Sequence, residues 1–103
     1  MKKPVVLRAR ADADLDAALE HFLVDAPAMA SALLKSFEAT IDAIGRAPAL
    51  GSPRFSVALE IPGLRCRTTK SLPYLVFYIE RDGDICVVRV LHQKRDIPAA
   101  VED

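Results

Sequence analysis

Six side chains in the last third of the sequence have types that suit chemistry on a phosphate group. They are Arg65, Arg67, Tyr74, Tyr78, Arg89 and His92. Cleavage of RNA by its own 2′-hydroxyl needs a base for the hydroxyl, an acid for the leaving oxygen, and cations that stabilise the phosphate. The arginines suit the cations, a tyrosine suits base stacking or proton transfer, and His92 suits the general acid. Without catalysis, the arginines also suit the binding of a phosphate or carboxylate of another molecule.

A predicted β-hairpin positions most of these residues. Residues 74–81 and 84–91 are rich in aromatic and β-branched side chains, and Asp82-Gly83 between them is typical of a two-residue hairpin turn. With Arg81 opposite Asp84, one face carries the pairs Ile79–Cys86, Phe77–Val88 and Leu75–Val90. Because strand side chains alternate, the other face carries Tyr78–Val87, Val76–Arg89 and Tyr74–Leu91. We expect the first face to be the core and the second to be open, with Arg89 in its middle.

A third strand is predicted over residues 64–70, before a turn through residues 71–73. If Cys66 points to the core, Arg65, Arg67 and Thr69 point outward with Arg89. The pattern therefore predicts one open sheet face that carries three arginines and two tyrosines. By the same alternation, His92 points to the core side with Val90, which favours a buried structural histidine over a binding or catalytic one.

A short edge strand and two helices precede these strands. The edge strand is expected at residues 4–9. Pro27 suits the first turn of the second helix, and Gly45 and Pro48 mark its end. Apolar residues at helical spacing form one stripe on each helix. The stripes are Leu15, Leu19, Phe22 and Leu23 on residues 11–25, and Ala30, Leu33, Leu34, Phe37, Ile41 and Ile44 on the second helix. Residues 50–53 and 62–63 are turn-like, and residues 55–61 fit either a loop or a short strand.

The predicted order is β-α-α-β-β-β, which indicates an α+β fold. An antiparallel helical hairpin packs on one face of a mainly antiparallel sheet. We expect a single domain over residues 1–96 and a short tail over residues 97–103.

The composition narrows the classes of function. The chain has 103 residues, with 14 basic and 14 acidic side chains and a formal net charge of zero, so no bulk attraction to nucleic acid is expected. No uncharged stretch approaches the roughly 20 apolar residues of a membrane-spanning helix, and no signal peptide is recognisable. Cys66 and Cys86 are predicted to be buried free thiols, and no metal or cofactor is implied. We expect a cytoplasmic protein.

The chain resembles the ParE/RelE superfamily of bacterial toxin–antitoxin toxins, and its ParE branch in particular. The closing pattern Arg89-Val90-Leu91-His92 with Arg95-Asp96 is the most specific part of the resemblance. The other matching parts are Asp14-Leu15, Leu50-Gly51-Ser52-Pro53-Arg54, Gly63-Leu64-Arg65, Tyr74-Leu75-Val76-Phe77-Tyr78 and Asp82-Gly83.

The resemblance implies a cytoplasmic toxin that a cognate ParD-like antitoxin silences in a hetero-oligomeric complex. ParE-type toxins poison DNA gyrase by binding it, whereas RelE-type relatives cut mRNA on the ribosome. The zero net charge and the absence of a lysine cluster before the hairpin favour the non-enzymatic ParE function, without direct DNA binding by the toxin alone. Two alternatives stay open: a RelE-like endoribonuclease with Arg65, Arg67, Arg89 and His92 as catalytic residues, and an inactive toxin homologue.

The predicted binding residues for the target or the antitoxin are Arg65, Arg67, Tyr74, Tyr78, Arg89, His92 and Arg95. We also expect the tail, residues 97–103, to contribute to target binding. The antitoxin is predicted to pack on the apolar open sheet face or along the helical hairpin.

Overall fold

The structure is a computed structural model that describes residues 2–95 and Ile97. Its elements follow the predicted β-α-α-β-β-β order. They are β1 (Val5–Leu7), α1 (Ala9–Asp25), α2 (Pro27–Arg46), a 3-10 turn (Pro48–Leu50), β2 (Leu64–Thr68), β3 (Tyr74–Glu80) and β4 (Ile85–His92). The predicted α+β class and helical hairpin are confirmed. The prediction for the tail, Ile97 apart, lies outside the described residues.

The four strands form one mixed sheet in the order β1-β4-β3-β2. The edge strand β1 runs parallel to β4, and the other neighbouring strands are antiparallel. The two helices join at Ala26 and pack against the sheet and against each other. Their buried faces are Ala11, Leu15 and Ala18 on α1, and Ala30, Leu33, Phe37, Thr40, Ile44 and Gly45 on α2.

A β-bulge in the hairpin shifts the predicted strand register. Near the turn the prediction is correct, because Ile79 pairs with Cys86 and Tyr78 pairs with Val87. The register then shifts at Phe77, and Val88 is the extra residue on β4. The pairs beyond it are Phe77–Arg89, Val76–Val90, Leu75–Leu91 and Tyr74–His92, so the predicted partners for these four residues of β3 are wrong by one position.

The predicted open face of the sheet is a core. Tyr74, Val76 and Tyr78 are buried under the helices together with Leu33 and Phe37. The tyrosines can lie there because Tyr78 donates its hydroxyl proton to the Pro48 carbonyl oxygen at 2.6 Å. The expectation that the tyrosine face is open to solvent is therefore wrong.

The opposite face of the sheet is also covered. Leu75 and Phe77 lie in a second apolar cluster, where Phe55 packs edge-on against Phe77 with 5.4 Å between ring centroids. Ile97 is buried in the same cluster, which also holds Leu64, Cys66, Cys86, Val88 and Leu91. The segment from Phe55 to Ile61, which the sequence left as loop or strand, forms hydrogen-bonded turns that cover this face. Cys66 and Cys86 are buried free thiols, as predicted.

Candidate functional site

Arg89 is held inside the protein by a carboxylate on α1. Its guanidinium group donates to Asp14 through Nε at 2.7 Å and through Nη2 at 3.0 Å, and only 5% of Arg89 is exposed. The prediction that Arg89 stands on an open face is wrong. Glu80, another carboxylate on the sheet, pairs with Lys3 instead.

Asp14 also accepts a hydrogen bond from the part of β4 that β1 does not cover. β1 ends at Leu7, and the Arg8 amide donates to the Val87 carbonyl oxygen as the chain turns into α1. Beyond that point the Val90 amide has no strand beside it, and it donates to Asp14 Oδ2 at 3.0 Å. One carboxylate therefore satisfies a buried cation and a strand amide together. The sequence could have indicated this role for Asp14. Ala11, Asp14 and Ala18 share one face of α1, and a carboxylate on a buried face needs a partner.

A histidine pocket lies where β3 begins and β4 ends. It is a cavity of about 240 Å³, and three of the predicted binding residues line it: Tyr74, His92 and Arg95. The Tyr74 and His92 rings meet edge to face with 5.3 Å between centroids. His21 on α1 also lines the pocket and was not singled out from sequence. The available signal was its position two helical turns after Asp14, which places both on one side of α1.

The hydrogen bond of His92 determines which ring nitrogen carries the proton. The Lys94 amide donates to His92 Nδ1 at 3.1 Å, so Nδ1 is an acceptor and the ring proton is on Nε2. Nε2 is then the ring atom that can donate to a partner. His92 is partly exposed and lies on the Val90 side of the sheet. The predicted register put that side opposite to the Tyr74 side, and this is wrong, because beyond the bulge His92 pairs with Tyr74 and the two rings are in contact. The position of His92 suits the binding of an acceptor group.

Arg65 and Arg67 lie elsewhere on the sheet. They pair with Tyr78 and Val76 across β2 and β3, and Arg65 Nη1 donates to the Gly51 carbonyl oxygen at 2.8 Å. Arg67 lines a separate shallow cavity with Thr40 and other residues of α2. Burial raises the pKa of the Tyr78 phenol, which keeps this ring neutral. The structure therefore does not join Arg65 and Arg67 with Arg89 in one phosphate-binding group, and their role in binding stays a prediction.

The end of the helical hairpin carries exposed apolar side chains. Leu23 is 58% exposed and Val24 is 85% exposed, and Met29 and Leu34 are also exposed. A hairpin groove of about 340 Å³ runs between the helices here. Its lining residues are Leu19, Leu23, Pro27, Ala30, Ser31 and Leu34. Such a patch is typical of a surface that another protein covers.

Neither helix in the described part of the chain is long and apolar enough to cross a membrane. Residues 2–95 and Ile97 also contain no group of three histidine, cysteine, aspartate or glutamate side chains that could hold a metal ion.

Comparisons with known proteins agree with this architecture. A family model described as "ParE toxin of type II toxin-antitoxin system, parDE" matches residues 5–97. A solved structure described as "Chromosomal ParDE TA system from P. aeruginosa" resembles this one with a TM-score of 0.71 at 22% sequence identity. The likeness covers 88% of this chain and 96% of that chain, and it shows a shared fold. No curated protein sequence gives a significant match.

Proposed function

Because the chain belongs to the ParE toxin family of type II toxin–antitoxin systems, we propose that it stops growth by binding DNA gyrase in the cytoplasm. It acts without catalysing a reaction. A cognate ParD-like antitoxin neutralises it in a hetero-oligomeric complex.

The separation of the cationic side chains supports the proposal that the protein acts without catalysing a reaction. An endoribonuclease needs its cations, acid and base around one phosphate. Here Arg89 is paired with Asp14 in the interior, Arg65 donates to the Gly51 carbonyl oxygen, and His92 accepts from the Lys94 amide. Three of the four candidate catalytic residues thus make different structural contacts, and Arg67 lines a separate cavity.

The histidine pocket is the proposed target surface. Tyr74, His92 and Arg95 offer an aromatic edge, an N–H donor and a cation around one recess, and His21 adds a second imidazole. Side chains of these types bind carboxylates and carbonyl oxygens on a protein partner. The pocket is small, so it accepts a side chain of gyrase rather than a nucleotide chain.

The hairpin groove is the proposed antitoxin surface. Its floor is apolar, and the exposed Leu23 and Leu34 side chains at its rim supply contacts for an amphipathic helix. The groove is distinct from the histidine pocket, which α1 lines with Asp14, Ala17, Ala18 and His21.

Two parallel assays test the proposal. Purified toxin is added to a gyrase supercoiling reaction, and the same preparation is added to ribosomes that carry a defined mRNA. We expect loss of supercoiling with accumulation of cleaved DNA, and intact mRNA. Cut mRNA with unaffected gyrase would establish the endoribonuclease alternative, and no effect in either assay would indicate an inactive homologue.

A further inference from the structure

A cationic cleft lies between α2 and the end of β2. It has a volume of about 210 Å³, and its lining residues are Ala39, Thr40, Ala43, Arg67, Thr68 and Lys70. The cleft shares no lining residue with the histidine pocket or the hairpin groove. Its lining includes two basic side chains and no acidic one, although the whole chain is neutral.

The two cations of the cleft have no counter-charge among the described residues. In residues 2–95 and Ile97, no ion pair joins Arg67 or Lys70 to a carboxylate. Asp42, which precedes Ala43 in α2, is already paired with Lys2 and Arg46. Arg67 is only partly exposed, so its charge is partly desolvated. Because such a cation is more stable beside an anion, the cleft favours an anionic ligand.

The backbone of β2 adds a third donor. Amides of an antiparallel strand point alternately toward the neighbouring strand and away from it. The Thr69 amide donates to the Tyr74 carbonyl oxygen of β3, whereas the Cys66 amide donates outward to Ser52. The Thr68 amide therefore points outward at the edge of the sheet, and the described part of the chain offers it no acceptor.

Hydrogen bonds that leave these three donors unused hold the cleft in shape. Ser36 Oγ donates to the Lys70 carbonyl oxygen at 2.5 Å, which ties the end of β2 to α2. Thr69 Oγ1 donates to the Leu72 carbonyl oxygen at 2.8 Å and closes the turn that follows Lys70. The backbone that carries the cations is thus ordered before a ligand binds, which lowers the entropic cost of binding.

We propose that the cationic cleft binds a phosphate group. Arg67, Lys70 and the Thr68 amide can donate to three different oxygens, whereas a carboxylate has only two. Two positive charges also match a phosphate monoester, which carries roughly −1.5 to −2 at pH 7, better than they match one carboxylate. The apolar lining consists of the small Ala39 and Ala43 side chains, which offer little contact area to a large side chain of a peptide. The phosphate belongs to a free nucleotide or to a nucleic-acid backbone, which share this chemistry.

NMR titration of the isotope-labelled full chain tests the proposal. Inorganic phosphate, AMP and a short DNA duplex are added in separate experiments at constant ionic strength. We expect the amide signals of Thr68, Lys70 and residues 39–43 to shift and to saturate together.

Charge variants measure the contribution of each cation. Arg67→Gln and Lys70→Gln should each weaken phosphate binding by about tenfold or more, because each removes a charged hydrogen bond. Arg8→Gln and Lys94→Gln are the matched controls, since both remove an exposed cation outside the cleft, and they should stay within about threefold of wild type. Equal phosphate affinity in Arg67→Gln, Lys70→Gln and wild type would overturn the proposal.

A steric variant leaves every charge in place. Ala39 is exposed on α2, so Ala39→Leu should keep the melting temperature, while its larger side chain enters the cleft. We expect it to weaken phosphate binding by about tenfold. Unchanged binding would mean that anions gather around the cations without entering the cleft, and it would also overturn the proposal.

The choice of probe identifies the source of the phosphate. Tightest binding of AMP assigns the cleft to a nucleotide, and tightest binding of the duplex, with a strong dependence on salt, assigns it to a nucleic-acid backbone. Equal binding of all three probes shows that the phosphate group alone is recognised. If a glutamate-rich peptide displaces phosphate at a lower concentration than AMP does, the cleft binds carboxylates and the proposal is wrong. It is equally wrong if no probe shifts these signals.

Discussion

The Asp14–Arg89 pair offers the sharpest test of how this fold is held together. The substitution Asp14→Asn keeps the size of the side chain, and its amide oxygen can still accept from the Val90 amide. It removes the charge, however, and places amide N–H groups against the Arg89 guanidinium donors. The buried Arg89 cation then loses the negative charge of Asp14.

The magnitude follows from the burial of the pair. Only 6% of the Arg89 side chain and 10% of the Asp14 side chain are exposed, and the Nε–Oδ2 distance is 2.7 Å. Removal of one partner from such a pair costs about 3–5 kcal/mol, because the remaining charge stays desolvated. For a domain of this size each kcal/mol lowers the melting temperature by about 4–8 °C, so Asp14→Asn should lower it by about 12 °C or more. Asp14→Ala should cost more, since Val90 also loses its acceptor.

The measurement is urea denaturation at pH 7, followed by circular dichroism, with Asp84→Asn as the matched control. Asp84 accepts from Arg81 Nη2 at 2.7 Å in the same two-bond geometry, but 48% of the Arg81 side chain is exposed. The control should be much less destabilised, because water solvates both groups after the substitution. Equal losses for Asp14→Asn and Asp84→Asn would refute the argument that burial makes the first pair indispensable.

Three further predictions concern packing, pH and the histidine pocket. Gly51→Ala should destabilise the fold by about 1–3 kcal/mol, because the added Cβ would overlap the Tyr78 hydroxyl. Gly83→Ala is the control for the same thermal denaturation experiment, and it should be tolerated because its Cβ meets no atom within 4 Å. Burial raises the pKa of the Cys66 thiol and the Tyr78 phenol, so both ionise first in the unfolded chain. The free energy of unfolding should therefore be nearly constant from pH 7 to about pH 8 and decrease above about pH 9. Denaturation from pH 7 to 10.5 tests this, and stability that rises with pH above pH 9 would contradict it. Finally, His92→Asn should reduce growth arrest and gyrase inhibition by less than about tenfold. A loss of about 10²–10⁴-fold in mRNA cleavage on ribosomes would instead identify His92 as a general acid.

Much of the fold follows from local sequence rules. The helical stripes, Pro27 at the start of α2, and Asp82-Gly83 between two β-branched segments each specify an element through its nearest neighbours. The element order then limits the architecture to two helices beside a sheet. These features could be predicted because each depends on a few adjacent residues.

The face of the sheet that carries each residue could not be predicted. β4 reads Ile-Cys-Val-Val-Arg-Val-Leu-His, and both faces of this strand are apolar, so no residue type marks the extra position at Val88. A bulge of one residue exchanges the two faces beyond it. Strict alternation continued past Val88 therefore puts Arg89 opposite Val76, whereas Arg89 pairs with Phe77.

Only part of the candidate site could be predicted, because some of its residues are close in the sequence and others are joined by a tertiary contact. Tyr74, His92 and Arg95 are close along the hairpin and its end, and the structure brings them together. His21 and Asp14 join their sites only because α1 crosses the end of β4, which is a tertiary contact that local patterns do not encode.

The central position of β4 has a consequence for how the protein is made. Of the four strands that the structure describes, β4 is synthesised last, yet it lies between β1 and β3, and its Val90 amide donates to Asp14 across 76 residues of sequence. Contacts between such distant parts of a chain form slowly and only after both parts exist. β1 and α1 therefore cannot take their final places until residues 85–92 have left the ribosome. A copy whose synthesis stops earlier has neither a complete sheet nor a histidine pocket, so interrupted translation yields no functional toxin.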